Sequence, residues 1–302
     1  MNPMNKNSKK TSWFAPRLAF LALFCAVIGF SGVREGAEPR AGTNVMSFNI
    51  RYANTGDGLN AWTNRKSLVS STLLFHKADV AGLQEALRSQ IQDLEEALPG
   101  YAWFGVGRDD GKEAGEFNPV FFRTDKMRLI RQSTFWLSET PDVPGSRSWG
   151  AACNRIVTWA EFEDAGCKAR FFFFNTHFDH VSETARRKSA EVLLRRIDEI
   201  AGRAPVVLTG DFNSTERDAA YIALTGGKPA PLADARAVVK AKPYGSSQSF
   251  NGFTSELRPG RIIDFIFVRD VGSVLRQGII SEKWDGRFAS DHYPVLAEVV
   301  IH

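Results

Sequence analysis

After residue 41, the sequence consists mainly of short apolar segments separated by Gly, Asp, Asn and Pro. Alternating apolar residues rich in Val, Ile and Phe are typical of β-strands. A hairpin is predicted to pair Ile156–Glu163 with Arg170–His177 around a turn at Asp164–Lys168. The other predicted strands are Thr43–Ile50, Asp79–Leu83, Val120–Arg123, Leu129–Leu137, Pro205–Thr209, Arg261–Val268, Val274–Ile280 and Tyr293–Ile301.

Fewer segments have helical periodicity. Helices are predicted at Asn64–His76, Ser89–Leu98 and Glu183–Ala201, with a further one in the 216–224 region. Strands dominate and do not alternate regularly with helices. The order therefore favours two packed sheets flanked by helices over a doubly wound parallel sheet.

The first 33 residues have the composition of an export signal. A basic stretch precedes an apolar run at Leu18–Phe30, and the small residues Ser31 and Gly32 follow. The run is shorter than the roughly 20 residues of a membrane span. We therefore predict a signal peptide at 1–33, with an uncleaved membrane anchor as the alternative, then a linker at 34–42 and one domain at 43–302. The protein is expected to be exported, either periplasmic or secreted.

Charge gives no general support for binding long nucleic acids. The chain has 38 basic and 34 acidic residues, a net charge of +4. Residues 1–33 carry four of the basic groups and no acidic one, so the remainder has 34 of each. Proteins that grip long nucleic acids usually carry a basic excess. Only a local basic patch could serve that purpose here.

The two cysteines after the signal, Cys153 and Cys167, are predicted to be unpaired thiols. Cys167 lies in the predicted hairpin turn, and Cys153 lies far back along the first strand. At about 3.3 Å per strand residue, this separation exceeds the reach of a disulfide.

Polar residues recur where the predicted strands end. A lone polar residue there is usually a turn former or a helix cap. Asp264 differs because it lies within an apolar strand, where a carboxylate is costly unless it is paired; an edge or outward-facing position is the ordinary alternative. The recurring residues are Asn49, Glu85, His177, Asp179, His180, Asp211, Asn213, Asp264, Asp291 and His292.

These residue types suit hydrolysis at phosphorus, where positioning and electrostatics dominate. Glu85 and Asp291 offer the oxygen ligands that Mg²⁺ or Mn²⁺ prefers, and such an ion polarises phosphate and orients water. His292 can act as a general base if Asp264 holds its other ring nitrogen. Three further side chains can donate hydrogen bonds to phosphate oxygens. They are Asn49, Asn213 and His177.

Together these segments resemble the endonuclease/exonuclease/phosphatase (DNase I-like) superfamily, from about Asn44 to Ile301. GDFN and SDHYPV in this order are the most specific of the signatures. The six signatures are SFNIR (Ser47–Arg51), LQE (Leu83–Glu85), NTHFDH (Asn175–His180), GDFN (Gly210–Asn213), RIIDFIFV (Arg261–Val268) and SDHYPV (Ser290–Val295).

The resemblance implies a four-layer α/β/β/α sandwich of two mostly antiparallel sheets flanked by helices, with 43–302 as the catalytic domain. It implies that Glu85 is the main ligand of Mg²⁺ or Mn²⁺, with Asp291 and Asn49 beside it. It makes His292 and Asp264 a dyad that polarises water or binds phosphate. It also gives Asp211 a proton-transfer role and gives Asn213 and His177 the task of stabilising the transition state.

At one position the chain departs from some AP endonucleases of this family, which have an acidic residue where this chain has Arg51. A second metal ion there is therefore not expected, and Arg51 is a candidate for contacting phosphate or a carboxylate, or for a surface ion pair. Two segments, Gly115–Arg123 and Thr134–Arg155, resemble an exported, bacterial branch of the family. The residues predicted to bind substrate are Arg51, Asn118, Trp149, Arg155 and His180, with core packing as the alternative for Trp149.

Two other functions remain open from the sequence. NTHFDH nearly matches the zinc motif of metallo-β-lactamase-like hydrolases, but Asn175 replaces its first histidine and few other histidines are available. A non-catalytic binding module on the same fold is the second, although Glu85 and His292 are both present. Nucleic acids, lipid headgroups, sugar phosphates and small phosphodiesters are all candidate substrates. No obligate protein partner is predicted, and a monomer is expected.

Overall fold

The chain is described here by a computed structural model over residues 42–226 and 231–302. The predicted signal and nearly all of the predicted linker lie outside these ranges. Within them, no helix combines the length and apolar character needed to cross a membrane.

In chain order, the elements alternate irregularly between strands and helices. Two short 3₁₀ segments, Thr55–Asn60 and Trp62–Asn64, connect the first strand to the first helix. The elements are β1 (Thr43–Asn49), α1 (Lys66–Phe75), β2 (Val80–Gln84), α2 (Arg88–Ala97), β3 (Tyr101–Phe104), β4 (Val120–Arg123), β5 (Met127–Trp136), β6 (Ile156–Asp164), β7 (Arg170–His177), α3 (Glu183–Ala201), β8 (Val206–Asp211), α4 (Ala219–Gly226), β9 (Ala233–Asp234), α5 (Ala235–Val238), β10 (Tyr244–Gly245), β11 (Asp264–Arg269), β12 (Ser273–Ile279) and β13 (Val295–Val300).

These strands form two sheets. One has the order β10-β12-β13-β1-β2-β4-β3 and the other the order β5-β6-β7-β8-β11-β9. Only β1–β2, β10–β12 and β7–β8 are parallel pairs; the remaining pairs are antiparallel. The central strands β1 and β2 contact β7, β8 and β11 of the other sheet. The predicted pair of mostly antiparallel sheets is therefore confirmed.

Strand β1 shows why the central strands are apolar throughout. Val45 packs in the core shared with the six-stranded sheet and α3. Its neighbours Met46 and Phe48 pack in a second core with residues of α1 and α2. Because both faces of the strand are covered, both sets of side chains are buried, as expected for a sheet between two other layers.

Helix α3 has the predicted bounds because capping residues mark both ends. The Ser182 side chain accepts a hydrogen bond from the Ala185 backbone N–H at the N-terminus. Gly202 follows the last turn with φ of 54°, a conformation that glycine adopts without steric cost.

The strand predicted at Arg261–Val268 begins only at Asp264, so its first three residues were assigned wrongly. The Ile263 N–H donates to Ser249 Oγ and its carbonyl accepts from the Phe212 N–H, contacts made outside a regular ladder. An edge or outward-facing position for Asp264 is also wrong, because only 1% of the residue is exposed. Cys153 and Cys167 form no disulfide within the described residues, as predicted.

Candidate active site

Strand direction brings the polar strand ends together. His177 and Asp211 end the parallel strands β7 and β8 in matching register. Asp264, the first residue of the antiparallel strand β11, also pairs with Asp211. Asn49 ends β1, which contacts β8 and is parallel to β2, the strand that precedes Glu85. Residues far apart in sequence therefore meet at one edge of the two sheets.

Asp211 lies at the centre of this group. Its Oδ2 accepts a hydrogen bond from Asn49 Nδ2 at 2.9 Å, and the same nitrogen donates to Glu85 Oε1 at 3.0 Å. Oδ2 also lies 3.5 Å from His177 Nε2 and 3.7 Å from His292 Nε2. The second oxygen, Oδ1, accepts from the Asn213 backbone N–H. Both sheets therefore contribute side chains around one carboxylate.

His292 and Asp264 form the buried pair that the sequence predicted. His292 Nδ1 lies 2.9 Å from Asp264 Oδ2. Burial would lower the pKa of His292, but the negative charges of Asp264 and Asp211 and the hydrogen bond to Asp264 raise this pKa well above its usual value. The imidazole is therefore held in its charged form, with Nε2 turned toward Asp211.

Burial and the negative charge of Asp264 raise the pKa of Asp211 to about 7, against the opposing effect of His292. A carboxyl group with such a pKa can both accept and release a proton near neutral pH. The arrangement therefore supports the proton-transfer role that the resemblance implied for Asp211.

His177 is held in the neutral form, since burial and the charges of Arg155 and Arg108 lower its pKa well below the usual value. Asn213 Nδ2 lies 3.1 Å from His177 Nε2 and donates to the Phe178 carbonyl at 3.0 Å. The Phe178 carbonyl engages one hydrogen of this amide, and the other faces His177 Nε2, which accepts it in the tautomer protonated at Nδ1. The predicted roles of the two side chains at the transition state stay predictions.

Arg51 lies between the predicted metal-binding carboxylates. Its guanidinium nitrogens lie 3.9 Å from Glu85 Oε2 and 4.0 Å from Asp291 Oδ2, while Asp57 forms the closest ion pair at 3.1 Å. Burial and the charge of Glu85 raise the pKa of Asp291, although His292 and Arg51 act in the opposite direction. Arg51 therefore offsets part of the negative charge in this region.

The donor set fits a hard divalent cation. Oxygen or nitrogen atoms of Glu85, His177 and Asp211 lie within 4.8 Å of one another. The raised pKa values of Asp211 and Asp291 reflect the cost of burying several carboxylates together, a cost that a bound cation would offset. Asn49 Oδ1 accepts a hydrogen bond from the Arg51 N–H and its Nδ2 faces the carboxylates, so its role as a ligand stays a prediction.

Backbone strain accompanies these contacts. Arg51, Glu85 and Asn213 have positive φ values of 57°, 62° and 45°, which are uncommon for residues with a side chain. Such conformations persist where surrounding contacts impose them, and they cluster at functional sites.

The residues surround a cavity of about 520 Å³ with two contrasting walls. The first, which we call the strand-end wall, consists of Glu85, His177, Asp211, Asn213, Asp291 and His292. The second, which we call the loop wall, consists of Arg108, Glu116, Cys153, Arg155, His180, Phe250, Arg261 and Ile263.

Three of the five predicted substrate-binding residues line the cavity: Arg51, Arg155 and His180. Asn118 does not, because its buried amide donates to the Ile156 carbonyl at the start of β6. Trp149 does not either, since its half-buried ring packs against the main core. For these two residues, the structure corrects the prediction.

Arg108, Glu116, Phe250 and Arg261 line the cavity but were not predicted as site residues. The first three lie outside the six motifs, and Arg261 begins the motif RIIDFIFV in a segment predicted to be a strand. Position in a loop carries no periodic signal, so only the three-dimensional contacts reveal them.

The structure argues against a dinuclear zinc site at NTHFDH. Asn175 is fully buried and donates to the carbonyls of Leu83 and Pro119. Asp179 accepts backbone N–H bonds at the start of α3. Within residues 42–226 and 231–302, no potential metal cluster joins His177 with His180.

Comparisons with known proteins agree with this fold. The chain is similar to the structure of an endonuclease/exonuclease/phosphatase from Bacteroides vulgatus, with 42% identity and a TM-score of 0.83 over 87% of this chain and all of that one. It is also similar to a mannosyl-6-phosphatase from Bacteroides thetaiotaomicron, with 36% identity and a TM-score of 0.80 over 85% of this chain and 99% of that one.

Among curated proteins, an uncharacterized protein of Acanthamoeba polyphaga mimivirus is 29% identical over 52% of this chain and 60% of its own length. Tyrosyl-DNA phosphodiesterase 2 of Danio rerio is 22% identical over 63% of this chain and 46% of its own length. The chain thus spans less than two thirds of these relatives. Residues 46–292 match the Endonuclease/Exonuclease/phosphatase family, and the chain therefore belongs to that family.

Proposed function

We propose that this protein is a phosphate ester hydrolase that requires a divalent cation, Mg²⁺ or Mn²⁺. The observation that carries the proposal is the convergence of Glu85, Asp211 and the His292–Asp264 pair on one cavity. The family contains phosphatases and nucleases by its description, and a mannosyl-6-phosphatase is among the similar structures.

Glu85 and Asp291 would hold the cation, with Asp211 close to the same position. When bound, the cation would supply Lewis acidity to a phosphate oxygen and offset the charge of these carboxylates. The choice of Mg²⁺ or Mn²⁺ follows from the oxygen-rich donor set.

The protein's own groups divide the remaining work. Asp211 accepts the proton of the attacking water at Oδ2, the carboxylate oxygen that lies 3.5 Å from His177 Nε2 and 3.7 Å from His292 Nε2. The charged His292 donates from Nε2 to a phosphate oxygen, and Asp264 keeps that ring charged and oriented. The bond from phosphorus to the leaving oxygen breaks as the bond from water to phosphorus forms, and the leaving oxygen then takes up the proton that Asp211 releases, which gives an alcohol and phosphate.

A non-catalytic binding module is not favoured. The candidate metal ligand Glu85 and the hydrogen-bonded His292–Asp264 pair are both present at the cavity, and a module that only binds has no need of them together. Export through residues 1–33 and a monomeric state are further parts of the proposal. Fractionation of cells and light scattering, respectively, would test them.

The direct test is a substrate panel with purified protein and Mg²⁺ or Mn²⁺. The panel contains p-nitrophenyl phosphate, bis-p-nitrophenyl phosphate, sugar phosphates, DNA, RNA, sphingomyelin and phosphoinositides. We expect turnover that EDTA abolishes, that added cation restores and that Glu85→Gln removes. Asp234→Asn is the control, since Asp234 is a buried carboxylate that lies outside the cavity. Turnover that is unchanged by EDTA would refute the role of the cation.

A further inference from the structure

We propose that the loop wall binds the leaving group of a sugar or polyol phosphate, and that Arg108 and Glu116 hold its hydroxyl groups. This inference rests on the proposed function and names the substrate class of the same cavity. It extends the site beyond the six family motifs, which contain neither residue.

Arg108 and Glu116 form a bidentate ion pair at the cavity. Arg108 Nη1 and Nη2 lie 2.6 Å and 3.0 Å from the two carboxylate oxygens of Glu116. Only 14% and 19% of the two side chains are exposed. A pair this far from bulk solvent loses much of its hydration, which its own attraction offsets only in part. A ligand with matching polar groups would restore those lost interactions.

The loop that carries the pair is held rigidly. Phe117 forms bridges with Gly107 and with Ala86, the residue after Glu85. The Asp110 side chain accepts hydrogen bonds from two backbone N–H groups within the loop, those of Lys112 and Ala114. The loop is therefore anchored directly beside the predicted metal ligand.

Contacts from another segment fix the position of Arg108 itself. The Trp136 Nε1–H donates to the Arg108 carbonyl at 2.7 Å, and Asn154 Nδ2 donates to Asp109 Oδ1 at 3.0 Å. At Gly107, an added Cβ would lie 2.3 Å from the Ala114 carbonyl oxygen, so only glycine fits there. A polar pair that is positioned in advance can bind a ligand with little ordering cost.

The chemistry of the pair favours hydroxyl groups. Guanidinium N–H groups donate and carboxylate oxygens accept, whereas a hydroxyl group does both. Neighbouring hydroxyls of a sugar can therefore use both halves of the pair. A second anionic group would be repelled by Glu116, and an apolar group would leave the pair without hydrogen-bond partners.

Phe250 provides a complementary apolar surface in the same cavity. Its ring centroid lies 5.0 Å from that of His292, and Arg261 lies over its face at 5.2 Å. A sugar ring carries C–H groups on its faces and hydroxyls on its rim. Phe250 can contact the former while Arg108 and Glu116 bind the latter. The cavity volume of about 520 Å³ lies within the usual range for small-molecule sites.

The test compares kcat/KM for mannose 6-phosphate and glycerol phosphate with kcat/KM for p-nitrophenyl phosphate. We expect the wild-type protein to prefer the hydroxylated substrates. Glu116→Gln should reduce that preference about 10-fold, mainly through KM, because one charged acceptor is lost. Asp125→Asn is the matched control: it alters a bidentate pair with Arg123, also 2.6 Å at its shortest contact, that lies outside the cavity. This control should leave the preference unchanged.

Two results would overturn the assignment of this subsite alone. One is an equal effect of Glu116→Gln on all phosphate esters. The other is a wild-type preference for DNA, RNA or bis-p-nitrophenyl phosphate, while p-nitrophenyl phosphate is still hydrolysed with the cation. If the wild-type protein hydrolyses no phosphate ester at all, the proposed function fails and the subsite fails with it.

Discussion

The two walls of the cavity differ in how they are built. The strand-end wall takes its side chains from the ends of β2, β7 and β8 and from the residues before β13, so sheet register sets its geometry. The loop wall takes its side chains from turns and irregular segments, where local contacts set the geometry. We infer that the sheets position the residues that catalyse the reaction, and that the loops position the residues that select the substrate. This division is common in enzymes.

The charges of the two walls differ as well. In the strand-end wall, the pKa values of Asp211 and Asp291 are raised, largely by burial, so full ionisation is unfavourable without a cation. In the loop wall, Arg108 is paired with Glu116 and Arg155 lies 3.7 Å from Asp179. Removal of the cation should therefore abolish catalysis at the strand-end wall. The ion pairs of the loop wall should stay largely unchanged.

The largest effect is expected from Asp211→Asn in the strand-end wall. An amide cannot accept the proton of water, so kcat should fall about 1,000-fold, within the usual range for loss of a general base. Steady-state kinetics at saturating cation would measure it, with Asp234→Asn as the control. A loss below 10-fold would show that Asp211 does not transfer the proton.

A smaller loss, about 100-fold in kcat, is expected from Asp264→Asn. The amide keeps the size of the side chain and an acceptor for His292 Nδ1 but removes the negative charge that raises the pKa of His292. The titration of His292, followed by NMR, should therefore move to lower pH. An unchanged titration would contradict the assigned dyad, even if activity falls.

Substitution of Arg65 tests whether cation binding depends on how the segments of the strand-end wall are aligned. This residue is 1% exposed and donates to the carbonyls of Ile50, Arg51 and Ala289, so it links the segment after β1 to the segment before Asp291. Arg65→Met should raise the Mn²⁺ concentration for half-maximal activity about 10-fold, comparable with the loss of a group that supports metal ligands.

Arg269 is the matched control for Arg65. It is also a buried arginine that donates to a backbone carbonyl, that of Gly202, but it lies outside the cavity. Arg269→Met should lower the melting temperature without changing the Mn²⁺ requirement. Equal Mn²⁺ requirements in the two variants would contradict the positioning role of Arg65.

The smallest effect concerns a buried carboxyl group that belongs to neither wall. Burial raises the pKa of Asp234 to about 6, above its unfolded value of about 3.9. Between these values the folded state binds more protons, so stability should fall as pH rises from about 4 to 6 and stay reduced above 6. Asp234→Asn should therefore be more stable than wild type at pH 8, by about 1–3 kcal/mol, and similar at pH 3.5. Denaturant unfolding at both pH values would measure it; equal stability at pH 8 would contradict it.

The strand-end wall could be predicted largely from sequence. Its residues follow recognisable strands, and Asp264 was marked by the cost of a carboxylate in an apolar segment. Helix α3 was predicted with both ends correct from its helical period, and the structure shows that Ser182 and Gly202 cap it. Local sequence carries these signals because strand period and capping depend on near neighbours.

The remaining features depend on distant contacts. The start of β11 is set by hydrogen bonds from Phe212 and to Ser249, which no property of residues 261–263 reveals. Asn118 and Trp149 were predicted to face substrate, but contacts with β6 and with the main core turn them elsewhere. Side-chain direction outside regular strands is set by tertiary packing, so the loop wall could not be predicted.

The central claim is that side chains from separate strand ends bind one divalent cation beside the phosphate. Anomalous X-ray scattering from crystals soaked in Mn²⁺ tests it most directly. The account predicts a strong anomalous peak in contact with the Glu85 carboxylate, which disappears in Glu85→Gln and persists in Asp234→Asn. A peak that survives in Glu85→Gln, or no peak at this wall in crystals that hydrolyse p-nitrophenyl phosphate, would contradict the account.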